Sequence, residues 1–374
     1  MKTKYDIAAY IWPAYTGKEP RTRLFWEEGI GEWQTVKKAN AKFEGHSWPR
    51  KPLLGYEDEA DPAVMEKQIE LATSHGVNVF IYDWYWFDHR PFLENCLNDG
   101  FLKAPNNEKM RFYLMWANHD ANYTWDLRNS DTVNMTIWEG ACNRLDFDTV
   151  CDRVISRYFT RPNYYTINAC PVFNIYDIDN LIKGLGGIDQ TRVALQAFRD
   201  KVKAAGFPEL HLQLTSWGEH MHNISGVDSV KQYTTKEIVS LLHFDSVTNY
   251  QFVHFVNIDR DYDEILADVR KEWDRFDHEY TVPYFPHISV GWDNNPRFKG
   301  FRGGIVKNNT PEAIQKGFAM AKTYVDTHKD RPPLITVNSW NEWTETSYLL
   351  PDDINGYGYL EAIRDTFKED GSEI

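Results

Sequence analysis

The stretch NSWNEWTETSYLLPDD, Asn338 to Asp353, places Glu342 and Glu345 three residues apart, with Trp340 and Trp343 beside them. Two neighbouring carboxylates can divide acid/base work. The one near aromatic surface keeps its proton, and the one in wetter surroundings stays ionised. On a straight strand, residues i and i+3 point to opposite faces. The pair therefore converges only if the chain turns just past the strand, at Trp343-Thr344. Without that turn these are two solvated glutamates on a loop.

Other chemistry-bearing residues recur at the ends of short apolar runs. Eight such runs are expected as strands: 5–12, 77–87, 111–119, 170–177, 210–217, 246–252, 284–293 and 333–343. Seven of the eight end in Trp, His, Asp or Glu, and the sixth offers Tyr250 and Gln251. The candidate substrate contacts are Tyr10 and Trp12 from strand one, Asp83, Trp84 and Tyr85 from strand two, and Trp116, Asn118 and His119 from strand three. Asp177, Trp217, Glu219 and Tyr250 follow from strands four to six. Trp292, Asp293, Asn341 and Trp343 come from the last two, and His46 from the long segment between Pro13 and Ala60. For Asp293 an ion pair with Arg297 that shapes the rim is an equal reading. Aromatic residues make up 15% of the chain, with 14 Trp and 21 Tyr. A core of this size could be built from aliphatic residues, so the excess points to flat recognition surfaces, of which sugar rings are the usual partners. Stacking holds the ring, and carboxylates handle the proton and the oxocarbenium-like charge of glycoside cleavage.

The elements that must position these residues are legible. Most of the apolar runs are near-continuous, as parallel strands covered on both faces are. Amphipathic helices separate them. Asp61 caps one with Pro62 at its first position, and Gly76 ends it. Thr310 and Pro311 start another, and a third runs over 191–206. Between 259 and 276, Tyr262, Ile265, Leu266, Val269, Trp273 and Phe276 share one face. The stripe residues Trp273, Phe276, Phe318 and Tyr324 belong to the core. The fold expected is α/β, a single (β/α)8 TIM barrel with long βα loops, spanning residues 1–374 as one catalytic domain. Its active site would lie at the carboxyl ends of the strands.

Other classes are excluded. With 41 Lys and Arg against 55 Asp and Glu, the net charge is −14, which repels nucleic acid and anionic membrane. No apolar run is long enough to cross a bilayer. Cys96, Cys142, Cys151 and Cys170 are widely spaced and read as buried thiols. No HExxH, GxGxxG or P-loop occurs. The HMH at 220–222 beside Glu219, with His243 and His254, is the one metal-like grouping. The reading nonetheless takes no metal and no cofactor, and the partner is a glycan. Oligomeric state is left open. The chain starts MKTKYDIAAYIWP with no basic-then-apolar leader, which fits the cytoplasm, or the periplasm if a leader has been removed.

The segment from Phe43 to Phe87 together with MWANHD, GWDNNPR and SWNEWTE resembles the WbsX-like family, whose members carry a domain similar to glycoside hydrolase family 99. The resemblance spans residue 5 to about 355. It implies a (β/α)8 barrel acting on glycans and, from the NEWxE motif matched by Asn341 to Glu345, a retaining endo-hydrolase. Glu345 would be the acid/base, and Glu342 would act on the sugar 2-hydroxyl, which attacks the anomeric carbon. His119 stands where the family often has Glu, which implies contact with a different, acidic sugar group. Related chains also carry the label of glycosyltransferases of surface-polysaccharide assembly. Transfer is therefore the alternative reading, and glycan binding without catalysis is a third.

Overall fold

The computed structural model describes residues 4–131, 135–225 and 230–368. Eight strands form the barrel: β1 (Asp6–Ile11), β2 (Val79–Phe87), β3 (Arg111–Trp116), β4 (Cys170–Ile175), β5 (His211–Thr215), β6 (Ser246–Thr248), β7 (His287–Ser289) and β8 (Leu334–Asn338). Each pairs in parallel with its neighbour, and β8 returns to β1, with Asp6 opposite Leu334. A parallel bridge between Val247 and Tyr284 closes the seam from β6 to β7. There the Val247 amide donates to the Pro283 carbonyl (3.0 Å) and the Phe285 amide to the Val247 carbonyl (2.8 Å). This is the TIM barrel that the pattern predicts.

Seven helices matter for the layer outside: α1 (Pro62–Ser74), α2 (Arg144–Val154), α3 (Ile188–Ala204), α4 (Thr235–Leu241), α5 (Tyr262–Glu279), α6 (Pro311–Thr327) and α7 (Gly358–Phe367). Their signals act as expected. The Asp61 side chain accepts from the Ala63 amide, and Thr310 from the Ala313 amide. The six residues of the α5 stripe are the six it buries. Alternation fails once. Between β2 and β3 the chain makes a short strand, Arg90–Phe92, then a π-helical turn, Cys96–Gly100, and two 3-10 turns, Phe101–Lys103 and Asn107–Lys109, instead of a long α-helix.

The strands also end sooner than their apolar runs. The run expected to 343 stops at Asn338, and the run to 293 at Ser289. Just beyond these points single backbone bonds persist, Val290 to the Asn338 carbonyl (3.0 Å) and Trp340 to the Tyr10 carbonyl (2.8 Å), and side chains then take over much of the bonding. Asn341 shows how: its Oδ1 accepts from the Trp12 amide (2.7 Å) and its Nδ2 donates to the Trp12 carbonyl (2.9 Å).

Side-chain parity divides the barrel. Alternate residues point inward, and many are polar. Tyr113 donates to Gln213 (3.1 Å), Asn174 to Gln213 (2.9 Å) and Thr215 to Asn174 (2.9 Å). The apolar core lies instead between strands and helices, where Phe80, Phe112, Phe173 and Trp273 are buried. Trp273 of α5 packs edge-on against Tyr324 of α6, with centroids 5.4 Å apart. Replacing Trp273 by Ala should lower unfolding stability by about 3–5 kcal/mol, read as a lower denaturant midpoint with an unchanged slope.

Candidate active site

Parity continues past the strand ends and sorts the candidates. On β2, Asp83 and Tyr85 face inward. On the continuation of β3, Met115, Ala117 and His119 do. A cleft of about 350 Å³ opens there, lined also by Trp12, Trp125, Tyr176, Tyr250, Arg297, Glu342 and Glu345. Its walls are rings in edge-on contact: Trp12 on Tyr85 (5.6 Å), Tyr85 on Trp125 (5.8 Å), His119 on Tyr176 (5.5 Å) and Tyr176 on Tyr250 (5.2 Å).

The turn that the glutamate pair requires is present. Asn341–Glu342 pairs antiparallel with Ser347–Tyr348, a single 3-10 turn spans Trp343–Glu345, and Thr346 follows in the left-handed region at φ 56°. Ser339 accepts from the Glu342 amide (2.7 Å) and donates to the Ser347 carbonyl (2.6 Å), which fixes the start of the turn. Both carboxylates then meet one guanidinium. Arg297 Nη2 donates to Glu342 (2.5 Å) and Nη1 to Glu345 (2.6 Å). Its Nε donates to Thr344 Oγ1 (2.7 Å), which donates in turn to Glu32 (2.9 Å). Glu32 also accepts from the Trp12 indole (2.5 Å).

Charge in this cleft is expensive, because Glu32, Asp83, Glu342 and Glu345 are buried and the Arg297 side chain is only 11% exposed. Burial raises the pKa of Asp83 and Glu342 well above the usual range and raises Glu345 as well. For Glu342 the next largest cause is the charge of Glu345, and Arg297 opposes the rise in both glutamates. Tyr250 reports where a proton lies. Its hydroxyl sits 2.9 Å from Asp83 Oδ2 and 3.1 Å from Glu342 Oε2. A phenol has one hydrogen, so the second contact needs a proton on a carboxyl group. Two oxygens, Asp83 Oδ1 and Glu345 Oε2, have no hydrogen-bond partner among the described residues.

Several candidates stand elsewhere. Tyr10 lies deeper in the barrel and donates to the Asn249 carbonyl (3.1 Å). Trp84 and Trp116 face outward, Trp84 donating to Glu94 (2.8 Å) and Trp116 lying against Phe147. Asn118 braces the next loop, donating to the Asp177 carbonyl (2.7 Å), and Asp177 caps the helix Ile178–Leu185. Trp343 stacks on Tyr348 at 3.9 Å, away from the cleft. Trp292 is partly buried against the core. Trp217 is 39% exposed over a neighbouring cavity, and Glu219 accepts from the Lys236 amide at 3.3 Å.

The Asp293–Arg297 pair does not form, because Arg297 is taken by the glutamates. Asp293 instead meets His46 Nε2 at 2.6 Å, and its amide donates to the Glu345 carbonyl (2.7 Å). His46 and Asp293 thus hold the turn of the glutamate pair from behind. The histidine grouping differs too: His220 and His222 gather with Asp179, not with Glu219, while His254 stacks on Trp217 with centroids 4.8 Å apart.

His119 also corrects an expectation. Its Nδ1 donates to the Asp120 carbonyl (2.9 Å), and burial lowers its pKa. The neutral ring keeps a lone pair on Nε2, which accepts from a hydroxyl and repels a carboxylate.

A family model described as Glycosyltransferase WbsX matches residues 7–363. The chain belongs to the WbsX family. Two curated proteins of Xanthomonas campestris pv. campestris, both called Uncharacterized protein WxcX, are 28% identical over 355 residues, covering 92% of this chain and 47% of theirs. The chain thus spans about half the length of the curated relatives it matches. Among solved structures, the GH99 endo-alpha-mannosidase from Bacteroides thetaiotaomicron aligns with TM-score 0.58 at 12% identity, over 96% of this chain and 97% of that one. A glycoside hydrolase-like protein aligns with TM-score 0.61 at 14% identity, over 98% and 95%. At such identities the likeness is one of fold, and the WbsX chain has a glycoside hydrolase-like barrel. No described helix is long and apolar enough to cross a membrane.

Behind the pair of this WbsX chain sits Glu59, which accepts from Asn341 Nδ2 (2.8 Å) and Gln68 Nε2 (3.3 Å). Burial raises its pKa from 4.5 to about 8. The folded state therefore holds a proton that the unfolded chain has lost. Its stability contribution is complete at low pH and disappears as pH rises through about 8. Glu59→Gln cannot lose that proton. Its melting temperature should fall less than the wild type's between about pH 5 and pH 9; equal falls in calorimetry would clear Glu59 as a cause.

Proposed function

We propose that this chain is a retaining glycoside hydrolase acting on a complex oligosaccharide or polysaccharide, with Glu342 and Glu345 as the catalytic pair. The observation that carries the reading is two buried carboxylates sharing one guanidinium inside an aromatic-walled cleft at the carboxyl end of the barrel. Glu345 keeps one oxygen on Arg297, and the other has no hydrogen-bond partner among the described residues and is free to face a substrate. That suits a general acid aimed at the leaving oxygen. Arg297 touches Glu342 but not Asp83, so the proton required at Tyr250 rests on Asp83. Glu342 is then the carboxylate that accepts from Tyr250 and Arg297, and these two bonds stabilise its ionised form against the burial and the Glu345 charge that raise its pKa.

In this scheme Glu342 removes the proton of the sugar 2-hydroxyl. The freed oxygen attacks the anomeric carbon, and the glycosidic oxygen leaves with the proton of Glu345. Glu345 next deprotonates a water that reopens the three-membered ring, and Glu342 returns its proton to the 2-oxygen. Two inversions give net retention. Asp83 Oδ1 and the His119 lone pair accept from sugar hydroxyls, which favours a neutral sugar at this position.

The family's printed name keeps transfer as the second reading. The test is a hydrolysis screen over bacterial, plant and host glycans, with the anomeric form of the first product read by NMR. Stabilisation by nucleotide sugars with none by oligosaccharides would favour transfer. On a cleaved natural glycoside, Glu345→Gln should lose about 10³-fold in turnover and recover part of it with an activated leaving group. Equal activity would remove Glu345 from the reaction. A substrate lacking the 2-hydroxyl should not be cleaved; cleavage at the parent's rate would sink the role given to Glu342.

A further inference from the structure

Next to the cleft, across the shared wall of Tyr176, lies a second cavity of about 470 Å³ that includes Asp179, His220, His222 and Thr235 in its lining. One oxygen of Asp179 and one ring nitrogen from each histidine lie within 4.8 Å of one another. Asp179 sits in the first turn of the helix Ile178–Leu185. The histidines alternate across one edge of the hairpin loop after β5, and their ring centroids are 4.1 Å apart.

Hydrogen bonds fix which nitrogens carry protons. Thr235 Oγ1 donates its single hydrogen to the Gly218 carbonyl (3.0 Å), so it can only accept from His222 Nε2 at 3.1 Å. His222 Nε2 is therefore protonated. Its Nδ1 nevertheless stands 2.8 Å from Asp179 Oδ1. Facing a carboxylate, that nitrogen carries either a second proton, as an imidazolium, or a lone pair that shares a cation with Asp179. His220 is set in the same way. Its Nδ1 meets the Gly218 carbonyl at 3.2 Å, which leaves the lone pair on Nε2. With a cation bound, each imidazole gives its N–H to an outer acceptor and turns a lone pair to the ion, the arrangement by which proteins orient metal-binding histidines.

The geometry points to a divalent transition-metal site formed by Asp179, His220 and His222. Two imidazoles and one carboxylate suit zinc and related first-row ions. Three protein ligands leave a position for water or for oxygen donors of a ligand in the cavity. Trp217, exposed at the same cavity, offers a flat face beside it. The site is independent of the glutamate pair, and its test does not depend on catalysis.

The test is calorimetric titration of the EDTA-stripped, dialysed full chain with zinc sulfate. The expected result is one saturable equivalent in the wild type. Affinity should fall by about tenfold or more in both His220→Ala and Asp179→Asn. Both residues are exposed, so these variants should fold as the wild type does, checked by circular dichroism. His222 is buried and is left intact. The absence of saturable uptake by the wild type overturns the proposal, and then the His222–Asp179 contact is an imidazolium ion pair. Uptake that either variant retains within tenfold also overturns it, because the zinc then sits elsewhere, for example among the cleft carboxylates.

Discussion

One buried guanidinium holds this cleft together. Arg297 meets Glu342 and Glu345 directly and reaches Glu32 through Thr344. An isolated carboxylate in such surroundings would take up a proton instead of staying charged. Several can share the space only because a cation that never loses its proton lies among them. The loop carrying Arg297, the loop carrying Glu32 and the turn carrying the glutamates are therefore bound into one electrostatic unit. Moving any of the three leaves charge uncompensated.

The aromatic walls act on the same balance. Trp12, Tyr85, Trp125, Tyr176 and Tyr250 exclude water, which raises the cost of ionisation and strengthens each remaining hydrogen bond. Their polar tips add to the bonds the carboxylates receive from Arg297 and Thr344: the Trp12 indole donates to Glu32, and the Tyr250 hydroxyl lies between Asp83 and Glu342. Ring faces suited to a sugar and tuning of the carboxylates thus come from the same side chains.

Much of this was legible in the sequence. The strand runs, the caps at Asp61 and Thr310, the buried stripe of α5 and the barrel itself follow from periodicity. Periodicity of two also carries more information than a list of strand ends. Asp83, Tyr85 and His119 are in the cleft, whereas Trp84, Trp116 and Asn118 are not, and one step of parity separates them. The same step shows why Tyr176 belongs to the site and Asp177 does not: it lies two residues after the inward-facing Asn174. Glu32, Trp125 and Arg297 come from loops, where no period indicates which way a side chain points. Arg297 was visible but was paired with Asp293, its neighbour in sequence, when its partners lie 45 and 48 residues away.

The Asn341 amide that clasps the Trp12 backbone joins residues 329 positions apart. With it, the first strand's exit and the last strand's exit become a single floor, and the cleft lining joins Trp12 to Glu342 and Glu345. The cleft is consequently a property of the closed ring and of no smaller piece. A nascent chain still missing its last strand carries most of the aromatic wall but none of the paired carboxylates. The paired carboxylates thus arrive in one step, when synthesis delivers the last barrel strand and the circle shuts.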